Sequence, residues 1–150
     1  TIHREKLEKW RSVMNPNLVL NIEQGLPLTA EEVGEAEKAR TDLYHRVRHF
    51  FGRYDLLLTP TVAVPPFPVE TPYPKEINGR PMANYTDWFM LTYAISITSL
   101  PAISVPCGWT SRGLPVGLQI VGRKLQETTV LRAAAAFEAI APWADKRPSL

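Results

Sequence analysis

The sequence predicts an α/β fold, and three observations carry that prediction. Leu56-Leu57-Leu58 is a short apolar run between a helix end and Pro60, the pattern of a strand buried on both faces. Long stretches on either side repeat their apolar residues at helical spacing. Near the C-terminal end, two short apolar segments, Ala102–Cys107 and Val116–Val121, are bounded by Pro and Gly and joined by Trp109-Thr110-Ser111-Arg112-Gly113. So short a link predicts antiparallel neighbours, with Pro106 and Pro115 at strand ends because neither can donate to a ladder.

The elements follow in order. Residues 3–14 read as a helix with Leu7, Trp10 and Met14 on one face. Asn15-Pro16 then provides an N-cap and a first-turn proline for a second helix carrying Leu18, Val19 and Ile22 and ending at Gly25, a left-handed cap. Thr29-Ala30-Glu31-Glu32 is a capping box. It starts a long helix to about Tyr54, with an apolar stripe of Val33, Ala36, Leu43, Val47, Phe50 and Tyr54 and an Asp42–Arg46 pair on the wet side. The core strand covers 55–61. A Pro-rich loop follows over 62–83; six of the chain's 14 prolines lie between Pro60 and Pro74, and Asn78-Gly79 marks a turn. Residues 84–97 hold Tyr85, Trp88, Phe89 and Tyr93 and read as a helix. The closing helix spans Glu127 to Ala141. The whole is one segment: helical over 1–54, then core strand and loop, then helix, two strands and terminal helix over 84–150.

At 150 residues, 45% hydrophobic and 21% charged, the chain has the composition of ordinary globular material. A net charge of +2 gives no argument for nucleic acid or an anionic membrane. The cluster of Arg46, Arg48 and Arg53 with His45 and His49 reads as a solvated helix end that complements the helix dipole. A single cysteine, Cys107, excludes an internal disulfide and fits a reducing, cytoplasmic compartment. No apolar run reaches the roughly 18 residues of a membrane span, and no signal peptide is visible.

A search for self-contained chemistry finds none. His45 and His49 have the i,i+4 spacing of metal ligands, but no third ligand or general base accompanies them. Cys107 has no histidine near it in sequence and reads as packing. There is no Gly-x-Ser-x-Gly elbow and no phosphate-cradling glycine loop. No catalytic residue and no metal ligand is assigned.

Leu56–Thr61, Leu100-Pro101-Ala102-Ile103-Ser104-Val105-Pro106-Cys107-Gly108, Gly113-Leu114-Pro115-Val116-Gly117-Leu118-Gln119-Ile120-Val121-Gly122 and the Ala-rich helix around Leu131–Glu138 occur here in an order and spacing that resembles the C-terminal region of the amidase signature family. The resemblance implies the C-terminal part of an α/β/α sandwich with a mixed twisted sheet. It implies hydrolysis of a small-molecule carboxylic amide through a Ser acyl-enzyme, by a Ser–cis-Ser–Lys triad without a cofactor, with backbone N–H groups holding the oxyanion. The family's Gly/Ser-rich nucleophile run has no counterpart in this chain, so the chain by itself is expected to be inactive. It is also expected to depend on a missing N-terminal half or to self-associate. The candidate substrate-binding residues are Thr59 and Thr61 at the end of the core strand, and Trp88, Thr92, Ile95 and Ser96, whose spacing puts them on one helical face. Gln119, inside a strand, needs hydrogen-bond partners.

Two further readings stand beside this one, a non-catalytic binding module and a fragment like the A component of glutamyl-tRNA amidotransferase. In that last branch an acidic residue falls where this chain has Phe89, and an Asn-Leu-Thr-Gly-like stretch falls where it has Ser96-Ile97-Thr98-Ser99. Both departures favour an amidase acting on an apolar or aromatic amide.

Overall fold

The computed structural model describes residues 3–147 and confirms the α/β class. The chain divides into two compact units, Thr1–Asp42 and Leu43–Leu150.

The first unit is helical. Helix α1 (Arg4–Trp10) gives way to a 3-10 turn at Arg11–Val13, and α2 covers Pro16–Gly25. Leu7, Val19 and Ile22 form its core, with Met14 and Leu26 packed around them. The early switch to 3-10 geometry rotates Trp10 away from the predicted face. It is 52% exposed, beside Lys9. The Asn15 side chain caps α2 by accepting from the Asn17 N–H at 2.9 Å. Gly25 is not a left-handed cap. It lies inside the last turn, and Leu26, still in the right-handed helical region, closes the helix.

Helix α3 (Ala30–Phe50) opens on the predicted capping box. The Glu32 N–H donates to the Thr29 hydroxyl at 3.2 Å, while the Thr29 N–H donates to the Glu32 carboxylate at 2.8 Å. The Thr29 backbone N–H, and after it the hydroxyl, hold the Glu32 carboxyl below its usual range. The cap is therefore complete above the carboxyl's unfolded pKa and is lost as pH falls through the lowered folded one. The ion pair on this helix is Glu37–Arg40, not Asp42–Arg46. The helix ends at Phe50, four residues short of the expected end, in a turn around Gly52 that leaves Tyr54 53% exposed. No residue of α3 is fully buried; along its apolar stripe Val33 is 50% exposed, while Leu43, Val47 and Phe50 are half-buried and Phe50 packs against Phe51 and Tyr54.

The second unit is built on a three-stranded sheet in the order β1-β5-β4, with β1 at Leu56–Pro60, β4 at Ala102–Trp109 and β5 at Pro115–Gly122. Both pairings are antiparallel, as the short connection predicts. Helix α5 (Glu127–Ile140) covers one face. Val130 and Ala134 meet Ile120 and Val105, with Leu56, Ile103, Leu118 and Phe137 around them. The remaining pieces are a small hairpin, β2 (Glu76–Ile77) and β3 (Arg80–Pro81), a 3-10 turn at Asp87–Phe89, and α4 (Met90–Ser96). The hairpin turns on Asn78 (φ 50°) and Gly79 (φ 76°), the left-handed pair that Asn-Gly favours.

Two strand expectations are corrected. β1 is an edge strand here, and Leu58 is 57% exposed rather than buried on both faces. Pro106 is not at a strand end. It sits within β4 at a register shift between Pro106 and Gly108, on an edge strand where a missing donor and an extra residue are tolerated.

Ser99, three residues beyond α4, has φ 56°, in the left-handed region that costs a side chain roughly 1–2 kcal/mol. This is the position where the resembled family carries Gly. Ser99→Gly is expected to raise stability by up to about 1 kcal/mol, the relieved strain exceeding glycine's extra unfolded-state freedom. Urea unfolding measures it, and an unchanged or lower midpoint would sink the idea.

Candidate substrate-binding face and the family match

Strand register sorts the sheet's side chains into two faces, because paired residues point the same way. One face, with Leu58, Ile120 and Ile103 in a row, takes α5. On the other, Thr59, Gln119 and Ser104 lie in register across all three strands, with Leu57, Val121 and Ala102 in the next row. A polar row thus crosses the sheet on the side away from α5.

Its hydrogen bonds are specific. Gln119, 6% exposed, donates through Nε2 to the Thr59 hydroxyl at 3.1 Å and to the Leu91 carbonyl at 3.3 Å. One amide therefore ties the sheet to α4 and meets the need for partners foreseen for a strand-buried glutamine. Thr61, just past β1, anchors its N–H on the Gly117 carbonyl at 2.9 Å. Its hydroxyl lies 2.6 Å from that of Ser104, across the middle strand. Only glycine at 117 permits this. A Cβ there would stand 2.6 Å from the Thr61 hydroxyl and 2.9 Å from that of Ser104.

The six predicted residues are placed as follows. Thr59 and Thr61 come together on the polar face with Gln119 and Ser104. Trp88 lies in the 3-10 turn before α4 and lines two cavities, of about 390 and 170 Å³. Thr92, Ile95 and Ser96 are on α4 and line neither of these. The Thr92 hydroxyl donates to the Phe89 carbonyl at 2.7 Å and that of Ser96 to the Thr92 carbonyl at 3.1 Å, so both protons are held by nearby backbone. An aromatic cluster surrounds this turn: Phe67 meets Trp88 edge-on at 5.3 Å, and Phe89 contacts Tyr85, Trp88 and Tyr93 at 5.4–5.9 Å.

Ser104 was not singled out from sequence. Its period-two position between Ile103 and Val105 signals a side chain facing away from the core, but not the hydroxyl across Gly117. Among the described residues, no group of three His, Cys, Asp or Glu is placed to hold a metal ion. No described helix is long and apolar enough to cross a membrane.

A family model described as Amidase matches residues 3–131. The chain belongs to the amidase signature family. An acylamidase of Rhodococcus erythropolis is 38% identical over 143 residues, 95% of this chain and 30% of the acylamidase. The A component of the glutamyl-tRNA(Gln) amidotransferase of Geobacillus stearothermophilus is 38% identical over 116 residues, 77% of this chain and 22% of that protein. A crystal structure of a bacterial aryl acylamidase of the amidase signature family superposes with a TM-score of 0.83 at 29% identity, over 95% of this chain and 31% of that one. The chain therefore spans less than a third of the length of the relatives it matches.

Proposed function

We propose that this amidase-family chain forms one wall of the substrate cleft in an amide hydrolase, as the C-terminal segment of a single larger catalytic domain. The observation that carries the reading is the polar row of Thr59, Gln119 and Ser104 with Thr61, set on the sheet face opposite α5. Thr59 and Thr61 offer hydroxyls to the substrate, and Trp88 from the 3-10 turn with Thr92, Ile95 and Ser96 from α4 form the adjoining wall. The nucleophilic Ser, the bridging cis-Ser and the Lys are supplied by sequence outside these 150 residues. That serine attacks the amide carbonyl, the Lys relays the proton through the middle Ser, and water releases the acyl group. The fuller coverage by the acylamidase, and Phe89 in place of an acid, support an apolar amide over a charged amino-acid amide. The single cysteine supports a cytoplasmic setting.

The isolated chain, assayed against a broad panel of aryl and alkyl amides and esters, is expected to show no turnover above buffer. A family member with its nucleophile in place gains at least about a millionfold. Turnover that scales with protein and survives repurification would overturn the assignment of the chemistry to residues elsewhere.

A further inference from the structure

A further cavity, of about 340 Å³, lies where β5 ends and β1 and β4 begin. Thr61 and Gly117 mark the opposite end of the same strands, so this cavity is separate from the polar row. Tyr44, Val47 and Leu100, each half-buried, wall it, and Phe51, 4% exposed, lies beneath. The charged side chains that line it are all cationic: Arg48, Arg123 and Lys124, each of them exposed. Among the described residues no carboxylate lines it. The Arg123 Nη2 donates to the Asp55 carboxylate at 3.1 Å and to the Tyr54 carbonyl at 3.4 Å, which fixes the guanidinium and leaves its Nε and Nη1 with no acceptor among the described bonds. Lys124 holds its Nζ 5.4 Å from the centre of the Tyr44 ring, part of the cavity wall. Arg48 has no carboxylate within ion-pair distance among the described residues. The basic end of α3, which reads in sequence as merely solvated, thus sends one arginine to a cleft whose other two cations follow β5.

We propose that this cavity is a binding site for a small organic carboxylate with a flat apolar body. The carboxylate accepts from Arg48, Lys124 and the free N–H groups of Arg123, and the body lies against Tyr44, Val47 and Leu100. Asp55 beside Arg123 and the negative pole at the C-terminal end of α3 offset part of the positive charge, so one negative charge suits the site better than two. A neutral ligand leaves the three cations without a counter-charge, and a cationic one is repelled. The site stands apart from the amide-hydrolase reading and needs no turnover, so either can fail alone.

The experiment is titration of the 15N-labelled chain with 2-naphthoate and, separately, with 2-naphthalenemethanol, which has the same ring and no charge. Naphthoate is expected to move the backbone N–H resonances of Gly52, Arg123 and Lys124 saturably, to leave those of Thr61 and Gly117 in place, and to bind about tenfold more tightly than the alcohol. Arg48→Gln and Lys124→Gln are each expected to weaken naphthoate about threefold, the effect of removing one exposed charge partner, and to leave the alcohol unchanged. Arg112→Gln is the control, because it removes the same charge from the exposed turn between β4 and β5; it should alter neither ligand. Unmoved resonances at the cavity, the alcohol binding as tightly as naphthoate, or Arg112→Gln weakening naphthoate as much as Arg48→Gln would overturn the proposal. Tighter binding of the peptide acetyl-Leu-Glu-Leu-amide than of naphthoate would also overturn it, in favour of a polypeptide partner.

Discussion

Replacing Ile120 by Ala is expected to remove about 2–5 kcal/mol of folding stability, the range for emptying a buried aliphatic site. Ile120 is 2% exposed at the centre of β5, in register with Leu58 and Ile103 on its two neighbours. It packs with Val105, Val130 and Ala134, so it joins the middle strand to both edges and to α5. The sheet backbone cannot close over the missing atoms, because β5 is pinned by ladders on both sides. Domains of this size hold roughly 5–15 kcal/mol in all, so the loss is a large fraction of the total. Urea unfolding should show a lower midpoint with an unchanged slope. Leu131→Ala is the control: Leu131 is 60% exposed, and its truncation should stay within about 0.5 kcal/mol. An Ile120→Ala shift no larger than the control's would mean that the core is not where the structure places it.

The second large effect is self-association of the isolated chain. The two edges of the sheet are not equivalent. β4 carries Pro106 and a register shift, devices that blunt an edge against pairing. β1 has only a proline at its last position, and its Leu58 is 57% exposed. Ile140, 81% exposed, and Leu131 add apolar surface on α5, and α3 has no buried residue. An unblunted edge next to exposed apolar side chains is a template for pairing with another chain. Light scattering should therefore report dimers or larger species whose proportion grows with concentration. Leu58→Lys, a charge placed in that edge strand, should return the chain toward monomer. A clean monomer at high concentration with a sharp unfolding transition would remove the argument.

What could be read without coordinates was what neighbouring residues impose on one another. Thr29 and Glu32 are three apart, so their reciprocal bonds follow from helix geometry alone. Asn15-Pro16, Asn78-Gly79 and the short link between β4 and β5 are likewise local, and the structure realises each. The misses share a cause. Trp10 depended on where α1 tightens, Gly25 on which residue closes α2, and Pro106 on which strand is an edge. Leu58 reads as buried because three leucines in a row belong inside a sheet, and what would cover it is not among the described residues. In the candidate site, Thr59 and Thr61 were legible as hydroxyls two apart at the end of a strand. Ser104 was not, because its partner lies 43 residues away and meets it only across Gly117.

The sequence by itself determined the α/β class, the order of the main helices and of β1, β4 and β5, the antiparallel pairing of β4 with β5 and, through its ordered motifs, the family, but it read the β2–β3 hairpin as part of a Pro-rich loop. These rest on periodicity, caps and turn residues, whose energetics are settled within a few positions along the chain. Only the tertiary structure decided that β5 is the middle strand, that one face of the sheet is packed by α5 while a polar row crosses the other, and that Arg80, Asp87 and Trp88 line one cavity. Those facts depend on register between distant segments, where a one-residue slip would send every side chain to the opposite face.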